Sequence, residues 1–188
     1  MDKIVLDIET SNSFQDVGGR NNFTDLKVSL IGAYSYREDA YLSFTEHEIE
    51  KFEPYLKRAG LVIGFAINRF DIPVLKKHFS FDLMALPRLD LLEEIEMALG
   101  TRISLDILAK TNLGIGKTHA SGLEAITLYN EGKMEELKDY CLHDVRLTRD
   151  LYELGKRQGH LLVPDRGTGE LIKAPMKLQE ETLLATLF

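Results

Sequence analysis

Four carboxylates in three well-separated segments stand out in this chain of 188 residues. Asp7 and Glu9 lie in Val5-Leu6-Asp7-Ile8-Glu9-Thr10, Asp71 in Phe70-Asp71-Ile72-Pro73, and Asp144 in Tyr140-Cys141-Leu142-His143-Asp144. Each follows or interrupts an apolar run, where an unpaired charge is costly to bury. A fold that gathers them needs something to offset their charge, and divalent metal is the simplest candidate. Two Mg²⁺ or Mn²⁺ ions about 3.5–4 Å apart, held by carboxylates, are a standard device for breaking phosphodiester bonds.

The local pattern at each segment sets its own alternatives. In a strand, residues i and i+2 share a face roughly 7 Å apart, so Asp7 and Glu9 project together. Ile4, Leu6 and Ile8 take the opposite face, which makes this strand central. A central strand seldom spends its second face on acids without a ligand; the alternative is two surface acids on an edge strand. Asp71 precedes a helix that starts near Pro73, so helix N-capping competes with metal binding there. Phe70 reads as an apolar anchor. Tyr140 and Asp144 are four apart on a helix and share a face. A phenol beside a carboxylate suits holding a water between metal and substrate; the alternative is a core tyrosine and an aspartate paired with Lys or Arg. Leu137, Cys141, Leu147 and Leu151 supply the core stripe of that helix, and His143, on a different face, reads as structural.

The elements that must position these groups follow from periodicity. Residues 3–9 alternate as a strand, and 28–36 and 40–44 form a hairpin pattern. The segment 11–26 is rich in Ser, Asn, Gly and Asp and reads as a loop. Residues 46–59 are expected to be helical, with Ile49, Phe52 and Leu56 inward and Gly60 as the stop. Residues 61–66 suit a buried strand, 87–92 another, 104–112 a helix and 134–158 one long helix. Strands alternating with helices after an initial meander predict an α/β fold, a mixed sheet flanked by helices with the first strand central. Residues 1–162 are expected to form one domain. The stretch 163–188, with a turn signal at Asp165–Gly169, reads as a C-terminal hairpin or tail, part of the same domain or unplaced.

Composition bounds the class. With 44% hydrophobic and 28% charged residues the chain is ordinary for a globular protein. No apolar run approaches the roughly 20 residues of a membrane span, so no membrane partner is expected. The N-terminus reads as a strand rather than a secretory signal. Cys141 is the one cysteine, which excludes an intramolecular disulfide and a cysteine-based zinc site and fits a cytoplasmic location. The net charge of −7 argues against a protein that grips nucleic acid by bulk electrostatics. It does not argue against a metal-dependent nuclease, because bound divalent ions invert the local charge.

Taken together, the three segments resemble the DEDD superfamily of 3′→5′ exonucleases, which has a ribonuclease H-like fold. The matches are Leu6-Asp7-Ile8-Glu9-Thr10, then Ile63-Gly64-Phe65-Ala66-Ile67-Asn68-Arg69-Phe70-Asp71-Ile72-Pro73, then Tyr140-Cys141-Leu142-His143-Asp144. Tyrosine four residues before the last aspartate is the mark of the tyrosine subgroup. Ser104–Lys110 followed by Leu113-Gly114-Ile115-Gly116-Lys117 resembles the helix and loop of family B DNA polymerase proofreading domains. In one respect the chain departs from those relatives: Ala66 stands where many carry Asn. The Gly-Ile-Gly-Lys segment is not a phosphate-binding P-loop, since position 111 is Thr.

The resemblance implies two-metal hydrolysis of single-stranded DNA or RNA from a 3′ end. Asp7, Glu9 and Asp144 would hold the ion that activates water, Asp7 with Asp71 the ion at the leaving oxygen, and Tyr140 would orient the water. Thr10, Phe70 and Lys117 are candidates for binding the substrate, with His119 also in reach of phosphates and Phe14 or Phe65 as further stacking candidates. A helicase or polymerase is a possible partner. The competing readings are a catalytically idle nucleic-acid or protein binding module and an endonuclease with the same metal centre.

Overall fold

The computed structural model describes residues 1–117 and 122–176. Five strands form a mixed sheet in the order β3-β2-β1-β4-β5. They are β1 (Asp2–Thr10), β2 (Val28–Ser35), β3 (Ala40–Thr45), β4 (Ala59–Gly64) and β5 (Arg88–Asp90). The hairpin β2–β3 continues antiparallel from β1, whereas β4 and β5 run parallel to it. The first strand is therefore central, as the alternating pattern requires.

Alternation along β1 sorts the chain into two layers. Ile4, Leu6 and Ile8 are buried against Phe52, Leu56, Ile72 and Leu75, carried by a 3₁₀ turn (Ile49–Phe52), α1 (Glu53–Arg58) and α2 (Asp71–Leu75). Val5 faces the other way, into a core shared with α3 (Leu91–Leu99), α4 (Leu105–Leu113) and α6 (Met134–Gln158). Ahead of α6, α5 (Gly122–Asn130) packs Ala125 and Leu128 against Leu137, Tyr140 and Cys141.

Several boundaries differ from the periodicity reading. The expected helix over 46–59 is a 3₁₀ turn followed by six residues of α1, because Pro54 favours a helix start rather than an interior. Ala59 and Gly60, expected to end that helix, already belong to β4. The strand expected over 61–66 ends at Gly64, and Ala66 takes a left-handed φ of 63°. The strand expected over 87–92 stops at Asp90, whose carboxylate caps α3 by accepting from the Leu92 and Glu93 amides. Periodicity alone assigns neither α3 nor α5. The long helix α6 spans residues 134–158 as expected.

After α6, β6 (His160–Pro164) and β7 (Leu171–Pro175) form an antiparallel hairpin. Asp165 closes its turn by accepting from the Gly167 and Thr168 amides at 2.9 and 2.8 Å. Leu161, Val163, Ala174 and Met176 bury one side of the hairpin in the α4–α6 core. His119 and residues 177–188 of the expected tail lie outside the described residues. Among the described residues no helix is long and apolar enough to cross a membrane.

One contact fixes how close α6 lies to the sheet. Gly32 on β2 pairs with Asp7 on β1. A Cβ at position 32 would stand 2.6 Å from Cys141 Sγ and 3.2 Å from Val145 Cγ2. Only a residue without a side chain lets the helix approach this near to the strand that carries Asp7 and Glu9.

Candidate active site

The α6 face of β1 receives Asp7 and Glu9, and the helix answers with Tyr140, Cys141 and Asp144. The Cys141 thiol lies 3.5 Å from Asp7 Oδ2, and one ligand atom from each of Asp7, Glu9 and Cys141 falls within a 4.8 Å cluster. Asp71 enters from the first turn of α2. Its Oδ1 accepts from the Ile8 amide at 3.0 Å, between the two acids of β1. Asp71 is the first residue of α2 and Phe70 holds the cap position without a side-chain bond, so N-capping is not what occupies this carboxylate. Asp144 and Tyr140 are both buried on one face of α6. The Lys117 ammonium sits 2.5 Å from Asp144 Oδ2 and 5.5 Å from the centre of the Tyr140 ring.

The electrostatics of this cluster run against its own charge. Burial, then repulsion from Glu9, Asp71 and Asp144, raises Asp7 well above the usual carboxylate range. Burial and the neighbouring Asp144 push Glu9 up to about 8. Burial likewise raises Asp71 to about 7, although the amides it accepts from oppose the shift. Asp144 is raised by burial and relieved by Lys117. Burial works to lower Lys117, but the attraction of Asp144 and Asp7 outweighs it and keeps the ammonium charged. Burial raises the Tyr140 phenol and the Cys141 thiol too, with the acids adding to both. Among the described residues, one ammonium against four carboxylates leaves a strong deficit of positive charge. The donor set is hard oxygen with one thiol at its back, a set that suits Mg²⁺ or Mn²⁺ rather than a thiolate-bound metal. The residues present therefore fit a divalent cation.

Lys117 is delivered by a short braced loop. Gly114 ends α4 with a φ of 72°. Asp106 then accepts from the Lys117 amide at 2.9 Å, and the His143 ring bonds the Gly116 carbonyl at 2.9 Å. A Cβ on Gly116 would lie 2.4 Å from Asp106 Oδ1. His143 thus has the structural part its helix face implied, and α6 holds the loop as well as the carboxylate that the loop's lysine meets.

A cleft of about 700 Å³ opens over Asp7, Asp144 and Lys117, walled by Phe65, Ala66 and the start of α4. The other substrate candidates sit around it differently. Phe70 packs edge-on to Phe14 at 5.8 Å, and Phe14 to Phe23 at 5.3 Å, joining the 11–26 loop to the second motif. Of the three phenylalanines considered for stacking, Phe65 is the one that lines the cleft. The Thr10 hydroxyl donates to the Asn12 carbonyl at 2.9 Å. Asn68, near the position where relatives carry Asn, is turned inward: its amide donates to Glu93 and accepts from Arg88.

Sequence reasoning missed three positioning residues. Asp90 holds the turn between β4 and α2 by accepting from the Ala66 and Asn68 amides at 2.7 and 3.1 Å. Its position just before the apolar run of α3 was the legible signal for a cap; the bonds to residues more than 20 positions away were not. Asp106, which places the Lys117 loop, stood in the sequence only as part of the Ser104–Lys110 segment, with no role of its own. Gly32 carried no local signal, since its role depends on what crosses above it.

Comparison with known proteins follows from this geometry. A family model described as the RNase H superfamily matches residues 4–155. No curated protein matches. Among solved structures, the family B DNA polymerase from the hyperthermophilic archaeon Pyrobaculum calidifontis superposes with a TM-score of 0.63 at 18% sequence identity. The match covers 83% of this chain and 24% of the polymerase, so this chain spans about a quarter of that protein. At that identity the likeness establishes the fold. With the family model covering most of its length, the chain belongs to the RNase H superfamily.

Proposed function

We propose that this chain is a metal-dependent 3′→5′ exonuclease of the tyrosine subgroup, acting on single-stranded nucleic acid. The observation that carries the reading is the convergence of Asp7, Glu9, Asp71 and Asp144, from three distant segments, close enough for their charges to act on one another and on the Tyr140 phenol. When bound, two Mg²⁺ or Mn²⁺ ions supply the Lewis acidity for phosphodiester hydrolysis. Asp7, Glu9 and Asp144 would hold one, and Asp7 with Asp71 the other. The Tyr140 hydroxyl, kept protonated by burial and the surrounding acids, orients the attacking water. The water oxygen bonds to phosphorus as the bond from phosphorus to the 3′ oxygen breaks. The water gives up a proton, the departing 3′ oxygen takes one, and a nucleoside 5′-monophosphate leaves. Lys117, already charged in the cleft, pairs with a phosphate oxygen, and Phe65 in the cleft wall borders the terminal nucleotide, with the candidates Thr10 and Phe70 outside that wall.

Residues 1–162 together with the hairpin would act as one unit in the cytoplasm, alone or with a helicase or polymerase that delivers the strand. The test is a 5′-labelled oligonucleotide, as DNA and as RNA, beside the same molecule circularised, in Mg²⁺, Mn²⁺ or chelator. A metal-dependent ladder from the linear form and an intact circle are expected. Cleavage of the circle transfers the assignment to an endonuclease, and silence on both favours the idle binding module.

A further inference from the structure

The active-site cleft does not end at the carboxylates. Arg102, Ile103, Ser104 and Ile107 line it on one side and also line a second cavity of about 360 Å³. That second cavity is completed by the β6–β7 hairpin, through Val163, Asp165 and Arg166. The two cavities therefore share one wall, the 102–107 segment, which lies between Asp7 and Asp144 on one side and the hairpin turn on the other.

The chemistry of the wall is basic and apolar in alternation. Arg102 and Arg166 are exposed, and Arg166 Nη2 donates to the Arg102 carbonyl at 2.5 Å, which ties the hairpin tip to the start of α4. Ile107 is 47% exposed although it sits on a helix with a buried face. Beyond Asp7 and Asp144, the two other acids that line these cavities already have internal partners. Asp106 binds Lys110 and the Lys117 amide, and Asp165 accepts from its own turn. Glu96, at the foot of Arg102, is paired with both Arg69 and Arg102. In a chain of net charge −7 such a place is where a polyanion meets the least repulsion.

We propose that the strand leading to the scissile phosphate leaves the carboxylates along α4 and is held at the hairpin by Arg102 and Arg166, with Ile103 and Ile107 against its bases and sugars. The inference rests on the exonuclease reading and adds to it a distal binding surface, on the hairpin, that makes substrate binding depend on strand length. Cationic side chains that track phosphates beside apolar contacts to bases are the general means of holding a single strand without reading its sequence.

The test is steady-state hydrolysis of 5′-labelled oligothymidylates of about three to ten nucleotides by the whole chain and its Arg166→Glu and Arg102→Gln variants. Arg166 is exposed in a turn closed by Asp165, so its replacement leaves the turn in place and removes only the bond to the Arg102 carbonyl; an unchanged Tm checks this. The expected result is a KM for the longer strands raised about 10-fold in Arg166→Glu, with a shallower salt dependence. The KM for the shortest strand and kcat on all lengths stay as in the parent. Rescue of KM by Arg166→Lys supports phosphate pairing. Unchanged KM at every length, or an equal rise at every length, overturns the groove while leaving the exonuclease standing. No hydrolysis and no binding of any oligonucleotide by the parent overturns the exonuclease reading and the groove with it.

Discussion

Replacing Gly32 by alanine sets the new Cβ 2.6 Å from Cys141 Sγ, about 1 Å inside the ordinary contact distance. Val145 Cγ2 at 3.2 Å and Leu142 Cδ2 at 3.4 Å close the other ways out. Cys141 is fully buried, so the strain has to be taken up by moving α6 away from β1 and β2 by up to about 1 Å. Overpacking of this size costs about 1–3 kcal/mol. For a chain of this length that lowers the Tm by about 3–9 °C. The same motion carries Tyr140 and Asp144 away from Asp7 and Glu9, and a displacement near 1 Å in a catalytic constellation costs on the order of 10²-fold in rate. Thermal unfolding in chelator and single-turnover hydrolysis of a labelled oligonucleotide measure the two effects. Gly32→Ala with Cys141→Ala removes the Sγ from the path, so the pair should recover part of both losses relative to the sum of the singles. Wild-type stability and rate in Gly32→Ala would refute the claim that glycine sets the depth of α6. A stability loss with no rate loss would show that the helix position and the chemistry are independent.

Asp7→Ala or Asp144→Ala is expected to abolish hydrolysis; in chelator Asp7→Ala should match or exceed the parent's Tm, with a smaller gain for Asp144→Ala because Lys117 loses its nearest partner, and near-parental turnover in either would end the two-metal reading. Tyr140→Phe keeps the ring and its contact with Lys117; the rate should fall by about 10²–10⁴-fold with metal affinity little changed, and loss of metal binding would show that the phenol has another role. Glu9 near 8 and Asp71 near 7 stand above their unfolded values, so the native state holds protons that the unfolded chain releases. In chelator their contribution is therefore full below about pH 4 and is lost as pH rises to about 8, with Mg²⁺ flattening the decline; a Tm in chelator that rises over that range would contradict the charge crowding.

The parts of the site that local pattern encodes were legible. The two-residue period of β1 separates Ile4, Leu6 and Ile8 from Asp7 and Glu9, and the four-residue spacing on α6 puts Tyr140 and Asp144 on one face. The helix expected over 46–59 was legible only in its inward residues. Ile49, Phe52 and Leu56 are all buried, yet the backbone under them is part 3₁₀ and part α, since helical spacing constrains which side chains face the core more tightly than it constrains hydrogen bonding. Helix α5 escaped notice because its weak amphipathicity is settled by packing on α6. Asp71 was ambiguous for a plain reason: cap and ligand use the same residue type, and the Ile8 amide that holds its carboxylate beside β1 lies 63 positions away. Gly32 and Asp106 matter only through segments remote in sequence, and composition carries no trace of that.

Lys117 holds in this site the position of an internal competitor. In the proposed two-metal centre an ion on Asp144 would compete with the Lys117 ammonium that now sits on its Oδ2, so loading the centre would be coupled to releasing the lysine. On that reading a phosphate that drew Lys117 toward itself would uncover the carboxylate, and an ion that took the carboxylate would free the lysine for phosphate. Linkage makes these gains equal: the factor by which substrate tightens metal binding is the factor by which metal tightens substrate binding. Because Asp106 and His143 brace the loop that carries Lys117, the size of that factor is written into α4 and α6 rather than into the ligands themselves.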